Sequence, residues 1–226
     1  MPLVDRRDVM AGMGMAALAP LLACAREPQP AAAAGPGRLI AGNGCPLTPR
    51  QTEGPFYFDP RLVRRDISEG RPGARLRLRL QVVAAEDCAP VLRSRVDVWH
   101  CDSAGVYSGY ESEGSAGGKW LRGTQFADAQ GVVAFETLFP GWYEGRATHV
   151  HCKVLTPDGR EVSSQIYFPD AVTDRVYSEA AYRGRRGRRL LNGDDGLFRQ
   201  SDGAAPLAHI VRTAGGLDAA IVLALR

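Results

Sequence analysis

The sequence has 226 residues, of which 45% are apolar and 23% are charged. This is enough for one domain with a substantial core rather than two small ones, and the composition is that of a soluble globular protein. The formal net charge is +3 with both signs interspersed, so we expect no nucleic-acid partner.

The N-terminus has the pattern of an export signal. Arg6-Arg7 precede an uncharged stretch from Val9 to Ala23, fifteen residues and too short to span a bilayer. A basic region followed by a short apolar one is typical of a secretory signal peptide, here residues 1–23, and the paired arginines favour the twin-arginine route. Leu21-Leu22-Ala23-Cys24 resembles a bacterial lipobox, so we expect lipidation of Cys24. The alternative is plain signal cleavage, with Cys24 lost or unmodified.

These features predict an exported protein, periplasmic or anchored to the membrane through a lipid only. Residues 24–44 are rich in Ala, Gly and Pro and predict a flexible tether to a domain over residues 45–226. An oxidising compartment permits disulfides, and Cys45 and Cys88 both occur in turn-like contexts, so they are the preferred pair. Cys101 and Cys152 lie in apparent strands and are expected to be small buried residues.

The pattern beyond the tether is that of short strands. Arg75 to Val82 alternates strictly between leucine or valine and polar residues, which predicts a half-buried strand. A short helix is predicted near Ser178 to Tyr182 in an otherwise irregular region, residues 171–203. The fold class is therefore all-β, a β-sandwich of about eight short strands with long loops. The other predicted strands are Arg95 to Cys101, Leu121 to Ala127, Val132 to Leu138, Thr148 to Leu155, Val162 to Phe168, Ala208 to Thr213 and Ala219 to Leu225.

The sequence from Pro140 to His151 concentrates metal-binding chemistry. His149 and His151 are two of only four histidines, and on a strand they would project from one face. Tyr143 precedes them, and either Tyr107 or Tyr110 could supply a second phenol. A phenol is a poor ligand unless a strongly Lewis-acidic cation removes its proton, which favours Fe(III). Taken alone, a His-x-His pair on a strand is more typical of a structural, zinc or copper site than of an iron site.

At this point the sequence resembles the intradiol ring-cleavage dioxygenases, the family of catechol 1,2-dioxygenase and protocatechuate 3,4-dioxygenase. Four motifs in family order carry the resemblance, which covers most of residues 45–203. They are Asp97-Val98-Trp99-His100-Cys101-Asp102 leading to Gly105-Val106-Tyr107-Ser108, then Pro140-Gly141-Trp142-Tyr143, then Arg146-Ala147-Thr148-His149-Val150-His151, and finally Ser164-Gln165-Ile166-Tyr167-Phe168.

The resemblance implies a non-haem Fe(III) site and its ligands. By family order the ligands fall on Tyr107, Tyr143, His149 and His151, and Tyr143 is the ligand expected to leave when substrate binds and to accept a substrate proton. The family's catalytic arginine falls on Arg146, which would stabilise negative charge on the ring. Its glutamine falls on Gln165, which would orient ligands or substrate by hydrogen bonds. The implied reaction is cleavage of a catechol by dioxygen between its two hydroxylated carbons, giving a muconate-type diacid.

This sequence also departs from the family pattern. Only five residues separate Tyr143 from His149, which shortens that wall of the pocket, and the helical dimerisation region of the catechol 1,2-dioxygenases is missing. The chain therefore looks more like the exported, single-domain branch, whose substrates vary: catechol, protocatechuate, hydroxyquinol or a larger catechol. The oligomeric state is left open. The alternatives are a non-catalytic exported lipoprotein that binds an aromatic ligand or a metal, and a zinc or copper enzyme that uses the same histidine pair.

Overall fold

The computed structural model describes residue 39 and residues 45–184, 187, 189–201 and 203–226. The predicted signal peptide, the lipidation site Cys24 and all of the tether except residue 39 lie outside these residues. Within the part of the chain that is described, no helix has the length and apolar character needed to cross a membrane.

The described residues form two four-stranded sheets whose inner faces share one hydrophobic core. The first sheet has the strand order β4-β1-β8-β7 and the second β3-β2-β5-β6. The predicted β-sandwich is therefore confirmed. The strands are β1 Arg75–Ala84, β2 Arg95–Trp99, β3 Arg122–Phe126, β4 Val132–Leu138, β5 His149–Leu155, β6 Glu161–Tyr167, β7 His209–Thr213 and β8 Gly216–Leu225.

Alternation along the strands decides which side chains enter the core. Leu76, Leu78 and Leu80 of β1 are all buried between the sheets, while the intervening arginines face outward. In the second sheet, Val96 and Val98 of β2 likewise point into the core. Asp97 and Trp99, which alternate with these valines, therefore lie on the outer face of the second sheet. His149 and His151 of β5 lie on the same face.

The helix predicted near Ser178 to Tyr182 is wrong in position. The structure has helix α1 at Asp170–Tyr177, followed by turns, and a short helix α2 at Gly196–Arg199. Pro169 begins α1, and Val172 and Val176, four residues apart, pack on the core. Residues 178–182 turn because the Tyr182 hydroxyl reaches back and donates a hydrogen bond of 2.7 Å to the Phe139 carbonyl. Two 3-10 turns, Glu111–Glu113 and Asn192–Asp194, complete the helical elements of the described chain.

Seven of the eight strands in the described residues have a boundary that differs from the prediction, by one to three residues. β2 ends at Trp99 rather than Cys101, because the chain turns at Asp102, whose carboxylate accepts hydrogen bonds from the amides of Ala104 and Val106. β8 begins at Gly216 rather than Ala219, and it runs parallel to β1 along its whole length.

Residues 51–60 form a segment, here called the covering loop, that lies along the outer face of the second sheet. Four polar contacts hold it there: the Gln51 amide to the Ser163 carbonyl at 2.9 Å, Glu53 to Lys153 at 2.8 Å, the Tyr57 hydroxyl to Asp97 at 3.0 Å, and Asp59 to Arg95 at 2.6 Å. The covering loop thus places its central residues against the end of the sheet that bears the histidines.

A disulfide joins Cys45 to Cys88, with the two Cα atoms 5.7 Å apart. It ties the start of the described domain to the turn between β1 and β2. Cys101 and Cys152 are both buried, Cys152 within the shared core.

Candidate active site

His149 and His151 lie side by side at the start of β5, on the outer face of the second sheet. Their Nε2 atoms are 3.1 Å apart, and both residues are buried. The strand register places Trp99 and Gln165 on either side of His151. The Trp99 ring stacks on the imidazole of His151, with centroids 4.9 Å apart and planes inclined by 7°. The neighbouring strands therefore fix the orientation of this ring.

Hydrogen bonding determines which nitrogen of His149 faces the site. Its Nδ1 lies 2.7 Å from the Ala147 carbonyl oxygen, which can only accept, so Nδ1 carries the proton. Burial first, and then the nearby charge of Arg146, lower the pKa of His149 from its ordinary 6.5 to about 3, so the ring is neutral. The lone pair of its Nε2 therefore points toward His151. A ligating histidine that donates its other N–H to a backbone carbonyl is the usual arrangement at metal sites.

Two phenols approach the same point. The Tyr143 hydroxyl is 3.2 Å from His149 Nε2. The Tyr107 ring lies 5.7 Å from the Tyr143 ring and 6.1 Å from the His151 ring, measured between centroids. The structure thus brings together the four residues that the sequence assigned as ligands, from three separate parts of the chain.

Local structure places Tyr107 firmly. The turn at Asp102 leads into it, and the Ser115 hydroxyl donates a hydrogen bond of 2.5 Å to its carbonyl. The next residue, Ser108, accepts two hydrogen bonds of 2.9 Å from the buried guanidinium of Arg122. The Tyr107 hydroxyl itself is buried and finds no hydrogen-bond partner among the described residues. Buried polar groups in folded proteins are almost always paired, so this hydroxyl fits a residue that would hold a metal ion.

Arg146 lies beside the four ligand-type residues. Its Nε donates to Asp195 at 2.9 Å, and its Nη1 lies 3.4 Å from the Tyr143 hydroxyl. Its Nη2 donates to the side-chain oxygen of Gln165 and, at 3.3 Å, to the Tyr167 hydroxyl. Gln165 in turn donates from Nε2 to the Thr52 carbonyl of the covering loop at 3.2 Å. Arg146 and Gln165 are therefore in direct contact with each other and with the site.

Burial shapes the electrostatics of these groups. It raises the pKa of Tyr107 well above the ordinary 10 and also raises the pKa of Tyr143. It lowers the pKa of His151 well below 6.5, with a further contribution from His149. Burial alone would lower the pKa of Arg146, but Tyr143 and Asp195 carry it above its usual range. Without a cation, the cluster therefore consists of neutral phenols and neutral imidazoles beside one fixed positive charge.

The donor set fits a trivalent, strongly Lewis-acidic ion. Two neutral imidazole nitrogens at 3.1 Å can share at most one proton, and the Tyr107 hydroxyl and His151 Nδ1 have no partner in the described chain. Phenols with raised pKa values ionise only when a cation stabilises the phenolate. Among the described residues no three His, Cys, Asp or Glu side chains form a metal-type cluster. A metal here would depend on the tyrosines, which ferric iron accepts.

Tyr110 and His100, which also lie near the site, make other contacts. Tyr110, the rival of Tyr107, donates its hydroxyl to the Tyr57 carbonyl at 3.3 Å, and its ring contacts Phe56 and Phe58. His100 is buried between the Cys101 carbonyl and the Thr137 hydroxyl, each 2.8 Å from a ring nitrogen. Both are therefore engaged in structural contacts.

Sequence reasoning missed four residues that build the site. Trp99 stacks on His151, Phe56 stacks on Tyr107, and the Tyr167 ring lies 6.1 Å from that of His149. Asp195 binds Arg146 from a segment predicted only as irregular. Tyr167 could have been found from strand alternation, since it lies two residues after Gln165 on the same strand, whereas Trp99 reaches His151 only through the pairing of β2 with β5. Asp195 offered no local signal.

Comparison with known proteins agrees with this geometry. Residues 52–186 match the family model Dioxygenase_C, described as dioxygenase. The structure of an intradiol ring-cleavage dioxygenase from Tetranychus urticae is similar with a TM-score of 0.75 and 31% identity, covering 80% of this chain and 94% of that one. The dioxygenase domain of a carbohydrate-binding fusion protein from Streptomyces sp. SirexAA-E gives a TM-score of 0.61 and 26% identity, covering 80% of this chain and 99% of that one.

Curated relatives are similar over part of their length. A catechol 1,2-dioxygenase of Acinetobacter baylyi is 26% identical over 207 residues, covering 77% of this chain and 66% of the relative. Catechol 1,2-dioxygenase 1 of Acinetobacter lwoffii is 28% identical over 141 residues, covering 52% of this chain and 45% of the relative. The chain thus spans about half to two thirds of these relatives. It belongs to the intradiol ring-cleavage dioxygenase family, as the sequence motifs predicted.

Proposed function

We propose that this member of the family is a non-haem Fe(III)-dependent dioxygenase that cleaves a catechol between its two hydroxylated carbons to a muconate-type diacid. The observation that carries the proposal is the convergence of two phenols and two neutral imidazoles beside a fixed arginine. Tyr107, Tyr143, His149 and His151 would hold the iron. When bound, Fe(III) would draw electron density from a catecholate and make its ring reactive toward dioxygen.

Tyr143 is suited to exchange a proton with the substrate. Its hydroxyl lies between His149 Nε2 at 3.2 Å and Arg146 Nη1 at 3.4 Å, so a phenolate there has a cation beside it. The Glu144-Gly145 segment that follows is exposed, and Tyr143 itself is partly exposed. As a phenolate, Tyr143 would accept a hydroxyl proton from an arriving catechol and would be the residue that gives way to the substrate.

Arg146 and Gln165 act on the charge that develops during the reaction. The guanidinium is fixed by its hydrogen bonds and cannot relax away from the site, so it stabilises negative charge as that charge forms on the ring. Gln165 holds the guanidinium on one side and the covering loop on the other. The covering loop closes the site over Tyr107 with the ring of Phe56.

The decisive experiment is oxygen uptake by the iron-loaded protein with a panel of catechols. The panel comprises catechol, protocatechuate, hydroxyquinol and a larger lignin- or catecholamine-type catechol, with resorcinol as a control that lacks adjacent hydroxyls. We expect one dioxygen consumed per catechol and a diacid product that contains both of its oxygen atoms, detected by mass spectrometry with labelled dioxygen. Cleavage of the ring at a carbon–carbon bond other than the one between the two hydroxylated carbons would contradict the proposal.

Colour distinguishes this function from the alternatives. Charge transfer from tyrosinate to Fe(III) gives a visible absorption band, so the purified protein should be burgundy, and anaerobic addition of a catechol should shift the band. A protein that is colourless and free of iron after expression with ample iron would contradict the proposal. Zinc or copper retained in its place would favour the alternative metalloenzyme.

We also propose that the chain is exported and anchored to the membrane through lipidated Cys24, with residues 24–44 as the tether to a domain over residues 45–226. The signal pattern in residues 1–23 supports this, and the Cys45–Cys88 disulfide fits an oxidising compartment. Fractionation of the native chain and its Cys24→Ser variant tests the anchor. The native chain should be found with membranes and the variant in the soluble fraction, whereas identical partitioning would count against lipidation.

A further inference from the structure

Asp195 is fully buried, and its two carboxylate oxygens bind different parts of the molecule. Oδ2 accepts hydrogen bonds from Arg146 Nε at 2.9 Å and from the Ala147 amide at 2.8 Å. Oδ1 accepts from the amides of Leu197 at 2.8 Å and Phe198 at 3.3 Å, which begin α2. One side chain thus joins the segment after α1 to the residues that directly precede His149.

The contacts of Arg146 show what this ion pair does. Asp195 occupies Nε, and Gln165 and Tyr167 occupy Nη2. A guanidinium is planar, so two fixed edges set the direction of the third nitrogen. That nitrogen, Nη1, is the one that lies 3.4 Å from the Tyr143 hydroxyl. Because Asp195 and Gln165 bind the other two nitrogens of the guanidinium, Nη1 is the nitrogen of Arg146 that faces the site.

The segment that supplies Asp195 is itself anchored. Arg189 forms an ion pair of 2.6 Å with Asp170 at the start of α1. Near its other end, the side-chain nitrogen Nε2 of Gln51 donates to the Leu197 carbonyl and to the Ser201 hydroxyl, both at 2.9 Å. Since both ends are held, the carboxylate of Asp195 is a fixed point against which Arg146 is oriented.

We propose that Asp195 is a positioning residue that directs Nη1 of Arg146 toward the reacting oxygen atoms at Tyr143. This inference rests on the proposed function and deepens it, because Asp195 acts on the reaction only through Arg146. It also supplies a negative charge that balances the guanidinium where it lies buried among the imidazoles.

Asp195→Asn is the informative substitution because a side-chain amide accepts hydrogen bonds only through its single oxygen. It can therefore satisfy either Arg146 and Ala147 or the start of α2, but not both. With its oxygen toward Arg146 and Ala147, its NH₂ group faces the amides of Leu197 and Phe198, and donor meets donor. In the opposite orientation it caps α2 but presents N–H groups to Arg146. Asp195→Glu keeps the charge on a longer arm, and Asp194→Asn makes the same chemical change at the neighbouring, exposed carboxylate.

The first test uses the iron-loaded full chain with catechol as the probe. We expect Asp195→Asn to lower kcat at least tenfold while iron content and the visible band stay at wild-type values. Asp195→Glu should retain more turnover than Asp195→Asn, and Asp194→Asn should keep wild-type kcat. In an Arg146→Ala background, Asp195→Asn should cause no further loss. An equal loss in both backgrounds, or a kcat unchanged by Asp195→Asn, would overturn the inference.

The second test needs no turnover. In urea unfolding of the metal-free protein, Asp195→Asn should lower the midpoint clearly more in the wild-type background than in the Arg146→Ala background, because the ion pair exists only in the former. Equal shifts in both backgrounds would mean that the two side chains are not paired and would overturn the inference. If the wild-type chain cleaves no catechol, the proposed function fails by itself, and the urea measurements still decide whether Asp195 holds Arg146.

Discussion

Phe56 lies face to face on Tyr107, with ring centroids 4.3 Å apart and planes inclined by 12°. Phe56 belongs to the covering loop, and its carbonyl accepts a hydrogen bond of 2.7 Å from the buried Arg122. The same arginine holds Ser108, directly after Tyr107. The covering loop and the loop after β2 that carries Tyr107 are thus held by one guanidinium, and the Tyr107 ring is buried.

Removing the Phe56 ring should destabilise the protein. Phe56→Ala loses the stacked pair and part of the buried area, and we expect the free energy of unfolding of the metal-free protein to fall by about 1–2 kcal/mol in urea. Phe126→Ala is the matched control, because Phe126 is 56% exposed at the edge of the same sheet. The control should change stability by less than about 0.5 kcal/mol. Equal effects of the two substitutions would contradict the structural role of the stack.

Loss of either proposed ligand should abolish iron binding. Tyr107→Phe keeps the ring and its stack on Phe56 but removes the phenolate, and His149→Ala removes an imidazole. We expect iron affinity to fall by more than about tenfold in each, since even partners behind metal ligands change affinity by about 10–100-fold. Iron per chain and the visible band measure this. Tyr110→Phe should retain both, and loss of iron in that variant instead would reassign the ligand.

Arg146→Ala should separate iron binding from turnover. The guanidinium donates toward Tyr143 but is not itself a metal-type donor, so iron content and colour should persist. Turnover should fall by roughly 10²–10³-fold, the range for removing one fixed group that stabilises developing charge. Arg146→Lys should recover little, because an ammonium cannot contact Asp195 and Gln165 together. Wild-type turnover in Arg146→Ala would refute the assignment.

Acid should destabilise the metal-free protein through His100. Burial lowers the pKa of His100 from its ordinary 6.5 to about 4, so the unfolded chain takes up a proton that the folded chain refuses. The stability from the neutral ring is therefore present above pH 6.5 and lost as pH falls toward 4, amounting to about 3 kcal/mol at about 1.4 kcal/mol per pKa unit.

Comparison of wild type and His100→Gln isolates this contribution. The free energy of unfolding of the two metal-free proteins is measured in urea at pH 7, 6, 5 and 4.5. It should fall less steeply with falling pH in the variant, and the difference in slope should correspond to at most one proton taken up on unfolding. Burial is the main cause of the lowered pKa values of His149 and His151 and is common to both proteins, while His100 is the smallest of the causes given for each. Identical slopes would show that His100 is not the group responsible.

The disulfide between Cys45 and Cys88 should contribute measurably to stability. It spans 43 residues, and in the chain-entropy model a loop of this size corresponds to about 4 kcal/mol. The variant with both cysteines changed to serine should unfold at a lower urea midpoint, and its free energy of unfolding should be lower by about that amount. Dithiothreitol should bring the wild-type protein to the same midpoint and leave the variant unchanged. A reductant effect on the variant would show that another thiol is involved.

Much of the fold and the candidate ligands could be predicted from local patterns. Alternation along β1 identifies the leucines that enter the core, and the spacing of His149 and His151 on a strand places both on one face. The turn residues around the strands give their number nearly correctly. α1 was misplaced because Val172 and Val176 give only one helical repeat, which tertiary packing rather than local propensity stabilises.

The sequence by itself determined the β-sandwich, the family and the identity of the ligand-type residues, because period-two alternation and motif order are properties of neighbouring residues. The register that sets Trp99 and Gln165 beside His151, and the pairing of Arg146 with Asp195 across 49 residues, were decided only by the tertiary structure. Such pairings depend on which distant strands and loops pack together, and no local pattern encodes that choice.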